Sequence, residues 1–176
     1  MNRDKNDIFA DLYKQHASYM YGVCLRYTKD ADDAKDVMQD GFVKIFQSLD
    51  TFRGEANIKT WMRTIMVNTA INFYRHKHIL QLESVDHAYT AHMPQTDETV
   101  ISKMTTDELL SIINLLPDGY RLVFNMYVIE GYKHKEIAEM LGITEGTSKS
   151  QLSKAKSYLQ VLAEEKLNIN VENVKY

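Results

Sequence analysis

Between residues 51 and 77 four aromatic side chains, Phe52, Trp61, Phe73 and Tyr74, are interleaved with five cations, Arg53, Lys59, Arg63, Arg75 and Lys77. Three amides, Asn57, Asn68 and Asn72, lie among them. Aromatic rings stack on exposed bases, cations follow phosphates, and amides read base edges. A duplex hides its base faces, so this mixture points to melted or single-stranded nucleic acid. Trp61 alone reads as core, since it shares a face with Ile58 and Ile65; the combination carries the reading. The side chains expected to do this work are Phe52, Arg53, Asn57, Lys59, Arg63, Asn68, Asn72 and Arg75.

A second set follows Gly142. Thr147, Ser148, Lys149, Ser150, Gln151 and Lys154 are expected on the outer faces of one helix. Small hydroxyls, an amide and lysines suit the edges and phosphates of a major groove. The residues before them supply the support. Ile137, Ala138 and Leu141 pack a short helix, and the small Ala138 admits a close neighbour. Gly142 takes the left-handed conformation that ends that helix, and Ile143 plugs the corner. Thr144 caps the next helix and Glu145 sits in its first turn. Two helices joined by so tight a turn read as a helix-turn-helix; an ordinary helical hairpin with a polar outer face is the plainer alternative.

Other chemistries find no residues. His76 and His78 are two apart and do not share a helix face, as the two histidines of a zinc HExxH motif must. Cys24 is remote, and His87 and His92 fall in a polar stretch. There is no glycine-rich phosphate loop and no G-x-S-x-G elbow. The Asp-rich run 30–40 lacks the spacing of a calcium loop and reads as a solvated or protein-docking helix face. No catalytic residue, metal site or cofactor is expected.

The elements that must position these groups are helices. Only 7 Gly and 2 Pro occur in 176 residues, which favours helix over a turn-rich β fold. Ile8, Phe9, Leu12, Tyr13 and His16 share one face, continued by Met20, Val23, Cys24 and Tyr27. Ala34, Val37, Met38, Phe42, Ile45, Phe46 and Leu49 recur at three- and four-residue steps behind Asp30, Asp32 and Asp33, acids that suit a helix start. Residues 51–55 read as a loop and 57–77 as the next helix. Periodicity fades from about 80 to 102, then resumes in helices around Leu109–Leu116, Tyr120–Val128, 133–141 and from 145 onward.

Net charge is −3, but it is segregated. Residues 56–82 and 146–163 carry four and three cations and no acid, whereas 83–108 carry six acids and only Lys103. Two basic patches split by an acidic stretch suit polyanion contact at two sites. A single cysteine permits no intrachain disulfide and fits a reducing cytosol. No signal-peptide pattern opens the chain, and no window reaches the ~18 apolar residues of a membrane span. A cytoplasmic location without membrane insertion is expected.

Three stretches together resemble the sigma-70 family of bacterial RNA polymerase sigma factors, in its extracytoplasmic-function (ECF) subgroup. Residues 34–42 (Ala-Lys-Asp-Val-Met-Gln-Asp-Gly-Phe) resemble the helix that binds core polymerase. Residues 51–55 (Thr-Phe-Arg-Gly-Glu), Trp61 and 68–72 (Asn-Thr-Ala-Ile-Asn) resemble the loop and helix for the promoter −10 element. Leu115, Leu116 and Pro117, residues 131–138 and residues 146–150 (Gly-Thr-Ser-Lys-Ser) resemble the −35-reading domain.

The resemblance implies that Asp36, Gln39 and Asp40 face the clamp helices of the largest polymerase subunit. It implies that Phe52 and Asn68 line a pocket for a flipped-out base, and that Lys149, Ser150 and Gln151 meet the −35 duplex. The linker would thread the RNA exit path. Its charge of −5 over residues 83–108 suits an RNA mimic there, and in the free protein would let it partly mask the basic patches. An anti-sigma factor is a further implied partner beside core RNA polymerase and promoter DNA. The chain departs from the family pattern at four places. Asp40 stands where Glu is usual. Gly41 sits mid-helix, at a cost of ~1 kcal/mol relative to Ala. Ser148 replaces an apolar residue, and Gln151 stands where Arg is frequent, which leaves the −35 base preference open.

The expected architecture is all-α: two small helical bundles joined by a flexible acidic linker, with the helix-turn-helix in the second. The boundaries are 1–80 for core binding and −10 recognition, 81–104 for the linker, and 105–176 for −35 recognition. The expected function is promoter-specific transcription initiation with core polymerase. The rivals are a polymerase-independent helix-turn-helix regulator and a small helical enzyme. Tight duplex binding without polymerase would favour the first, a pocket of converging ionisable groups the second.

Overall fold

The computed structural model describes residues 4–78 and 106–173. The chain divides into two compact units, Met1–Ile79 and Leu80–Tyr176. No strand occurs among the described residues. The acidic stretch expected as a linker, with its RNA-mimic and masking roles, lies almost wholly outside them.

The first unit is a three-helix bundle of α1 (Lys5–Tyr27), α2 (Ala31–Ser48) and α3 (Ile58–His78). The α1–α2 corner is built by side chains. The Thr28 hydroxyl donates to the carbonyls of Cys24 (3.2 Å) and Asp30 (3.3 Å). The Asp30 carboxylate accepts from the N–H groups of Asp32 (3.0 Å) and Asp33 (2.8 Å), satisfying two donors that a helix start leaves open. A tight 3₁₀ turn, Leu49–Thr51, then leads into the loop, where Gly54 adopts φ +73°. Met20, Val23 and Cys24 from α1, Ala34, Val37 and Ile45 from α2, and Met62, Met66 and Val67 from α3 are all fully buried. Each large apolar side chain so buried contributes about 1.5–3 kcal/mol relative to exposure. Burial also pushes the Cys24 thiol up to about 12.

Gly41 marks a close approach of α2 to α3 within this bundle. A Cβ there would stand 2.9 Å from Cε of Met66 and closer still to its sulfur. The glycine that costs α2 helix propensity is thus the residue that makes room for the buried Met66 of α3.

The second unit starts with α4 (Thr106–Ile113), turns at Pro117 into α5 (Asp118–Phe124), and continues through a π turn, Asn125–Ile129. The π turn shows in the bond from Glu130 N–H to the Asn125 carbonyl, five residues back, at 3.0 Å. Sequence periodicity predicts one uninterrupted helix there. Gly131 (φ +80°) ends it. Next comes α6 (His134–Leu141), closed by Gly142 at φ +71°, and then α7 (Glu145–Asn173). The Thr144 hydroxyl accepts from Thr147 N–H at 3.0 Å, the cap expected for α7. Ile112, Ile113, Leu116 and Tyr120 pack against Ala155, Leu159 and Ala163 of α7. Arg121 is buried within this unit, where it donates to Asp118 (3.1 Å) and to the Asn114 carbonyl (3.5 Å). No helix among the described residues is long and apolar enough to cross a membrane.

Candidate nucleic-acid interface

On α3 a single face carries Trp61, Thr64, Asn68, Asn72 and Arg75, spaced by three and four residues. Asn68 and Asn72 are exposed, Arg75 half-buried. At the upper end of this row the ring of Phe52 packs on Trp61, centroids 5.2 Å apart and planes at 46°. Both rings remain half-buried, so an aromatic ledge and two amides share one surface. Arg53 is exposed in the adjoining loop.

The other expected members fall elsewhere. Lys59 and Arg63 lie on the opposite side of α3, and the Lys59 ammonium sits 3.8 Å over the ring of Tyr19 from α1. Arg63 is half-buried. Asn57 has a local duty: its side-chain oxygen accepts from Lys59 N–H at 2.9 Å, and its carbonyl from Trp61 N–H at 3.0 Å. It caps α3, leaving its NH₂ group for any ligand.

On α2 the side chains of Asp36, Gln39 and Asp40 are exposed. Beside them runs a groove of about 870 Å³ between α1 and α2, which sequence reasoning missed. Phe9 packs edge-on against Phe42 (6.1 Å) and Phe46 (5.1 Å), and Tyr13 lies 4.7 Å from Phe42. Met38, Val43 and Gln39 complete its rim. Lys5 ion-pairs with Asp50 and lies 4.9 Å over Phe46, one of the residues that line the groove. The available signal was the cluster of aromatics on the early α1 face and at positions 42 and 46.

On α7 the six expected readers separate. Lys149 and Ser150 are exposed, and Thr147 and Lys154 half-buried. The expectation that Ser148 and Gln151 occupy the outer faces is overturned. Ser148 is fully buried, its Oγ 2.9 Å from Nδ1 of His134 on α6. Gln151 is 6% exposed and lies against α5, where a Cβ on Gly119 would stand 3.3 Å from its Nε2. Both side chains point into the bundle because α7 crosses α5 and α6 here, a tertiary fact that outer-face counting on one helix cannot supply. Thr147 is partly committed too, its Oγ1 2.9 Å from that of Thr144. Lys149 pairs with Glu145 at 2.7 Å, and the ammonium beside it holds the Glu145 carboxyl below its ordinary range.

A helix-turn-helix unit and a separate three-helix unit with an amide-bearing face define a class of helical DNA-reading proteins. Known proteins narrow it. Residues 12–78 match the family model for sigma-70 region 2, and residues 106–159 that for sigma-70 region 4. The chain is 28% identical over 163 residues to the ECF RNA polymerase sigma-E factor of Haemophilus influenzae, covering 86% of this chain and 85% of that one. It is 32% identical over 143 residues to RNA polymerase sigma factor YlaC of Bacillus subtilis, covering 77% and 80%. The fold is similar, at TM-score 0.50 and 21% identity over 89% of this chain and 96% of the other, to the sigma factor RpoE of Bartonella quintana, solved in complex with the anti-sigma factor NepR.

The chain belongs to the sigma-70 family, in its ECF subgroup. Its function is promoter-specific transcription initiation.

Proposed function

We propose that the three surfaces divide the work of initiation. The acidic edge of α2 (Asp36, Gln39, Asp40) and the adjoining aromatic groove dock on core RNA polymerase. The Phe52–Trp61 ledge with Asn68, Asn72, Arg53 and Arg75 captures bases of the melted −10 element, while Lys59 and Arg63 serve a different face and Asn57 chiefly caps the helix. Lys149, Ser150 and Lys154 of α7 meet the −35 duplex, with Thr147 at its edge; Ser148 and Gln151 hold α7 in place. The region boundaries are 1–80, 81–104 and 105–176.

The observation that carries this reading is the split of α3 into an aromatic–amide face and a separate cationic face. Stacking platforms beside free amides suit unstacked bases. The mechanism is non-covalent: no bond is made or broken by this chain, which selects and traps a DNA conformation. It acts where polymerase acts, in the cytoplasm, and an anti-sigma factor is its expected inhibitor. Open-complex formation with core polymerase tests the division. Asn68→Ala should impair melting without weakening core binding, whereas Asp40→Lys should weaken core binding and melt normally once core is saturating; the same defect from both would refute the assignment.

A further inference from the structure

The first turn of α7 presents an ion pair to the outside. Glu145 Oε1 and Lys149 Nζ are 2.7 Å apart, one helical turn from each other, with the two side chains 50% and 60% exposed. Thr144 and Thr147 bond to each other beside them, and Ser150 Oγ donates to the Thr147 carbonyl at 3.0 Å. The turn therefore offers one ready acceptor and one ready donor at hydrogen-bond separation.

That spacing has a counterpart in DNA. In the major groove a G·C pair shows the acceptors N7 and O6 of guanine and the N4 amino donor of cytosine. O6 and N4 are themselves joined by an N–H···O hydrogen bond of about 2.7–3.2 Å. Lysine suits guanine O6 and N7, and glutamate accepts from cytosine N4. The lysine has three donors, so it can hold the carboxylate and O6 together.

Resting on the assignment of α7 to the −35 duplex, we propose that Glu145 is a specificity-determining residue. It acts with Lys149 as a coupled acceptor–donor reader of a single G·C pair. The carboxylate discriminates by penalty as well as by contact. A T·A pair also sets an acceptor (O4) beside an amino donor (N6), but there the carboxylate meets adenine N7 next to N6, and the lysine meets the thymine methyl where guanine offers N7. It also ties up Lys149, which would otherwise bind phosphate without regard to sequence. The carboxyl stays ionised because the Lys149 ammonium favours its charged form.

The test is selection from a randomised −35 duplex library by the full chain assembled with core RNA polymerase, with the bound fraction sequenced. Wild type should enrich one G·C pair. Glu145→Gln should raise binding across the whole library and reduce the preference at that pair by about five-fold or more, the low end of a base-edge contact. Lys149→Ala should lose the preference at the same pair, and the double variant should discriminate no worse than the poorer single variant. Unchanged base preferences in Glu145→Gln overturn the proposal, whether or not total binding rises. If Lys149→Ala and Lys154→Ala leave −35 binding untouched while wild type selects −10 sequence normally, the assignment of α7 fails, and this proposal with it.

Discussion

The hydroxyl of Ser148 lies 2.9 Å from Nδ1 of His134, and this bond joins the two helices of the helix-turn-helix. His134 in turn stacks on Tyr127 at 4.4 Å, which ties α6 to the π turn before it. A residue that a helical wheel would place toward DNA is therefore a pin within the protein. Ser148→Ala should lower stability by about 1 kcal/mol, the usual net value of one hydrogen bond. It should leave −35 base preference unchanged. Urea denaturation and library selection check the two halves, and altered base preference would return Ser148 to the interface.

Gly41 supports a packing prediction of definite sign. Gly41→Ala gains about 1 kcal/mol of helix propensity, but overpacking a filled core costs typically about 1–3 kcal/mol. Met66 is fully buried, so its thioether end must shift within the core to admit the methyl, and a net loss is expected. A smaller residue at 66 should reverse the sign of the Gly41→Ala effect. Urea midpoints for the four combinations give the coupling; additive effects would show that the two positions do not press on each other.

Much of this was legible locally. Asp30, Thr144 and Gly142 declare helix ends by chemistry that acts within three residues, and all three perform as their types predict. The buried stripes of α1 and α2 follow from periodicity alone. What could not be read depends on crossings. Gln151 is buried because α5 passes over it at Gly119, and Lys59 turns to Tyr19 because α1 lies behind α3. Arg121 looks like a surface cation until Asp118 and the Asn114 carbonyl are seen to enclose it. The π turn adds one residue to a helical turn without any composition signal.

The proposed docking face on α2 makes a separate prediction. Val43 is 49% exposed at the rim of the aromatic groove. Val43→Asp should weaken binding to core polymerase while leaving helix content intact, and so should Asp36→Lys or Asp40→Lys. Titration of labelled protein with core enzyme measures this. Full affinity in all three variants would move the contact off α2.

Cys24 adds an alkaline pH dependence to the stability of the first unit. Its thiol ionises near 12 in the folded protein against about 9 when exposed, because burial disfavours the thiolate. The unfolded chain therefore loses this proton first as pH rises, and stability falls from pH ~9 upward. Below that value the group contributes no pH dependence. Cys24→Ala should flatten the decline between about pH 9 and 12. A thiol reagent should label native Cys24 only as fast as the bundle opens; rapid labelling at neutral pH would contradict its burial.

The proposed −10 surface is best approached through Asn68, because its exposed side chain can be removed without disturbing the core. Phe52→Ala removes a stacking ring, worth about 1–3 kcal/mol per base, but also strips the cover from Trp61. Parallel defects in Asn68→Ala and Phe52→Ala would place the loss in base capture and not in folding.

The most direct measurement is run-off transcription on genomic fragments with purified core polymerase, with and without this chain, read beside 2-aminopurine fluorescence in the melted strand. The wild-type chain should give discrete transcripts that core alone does not, with a fluorescence rise at the same promoters. Asn68→Ala should bind core normally yet lose most of both signals. Transcripts that are identical with and without the chain, or an Asn68→Ala protein that melts promoters as well as wild type, would contradict the account.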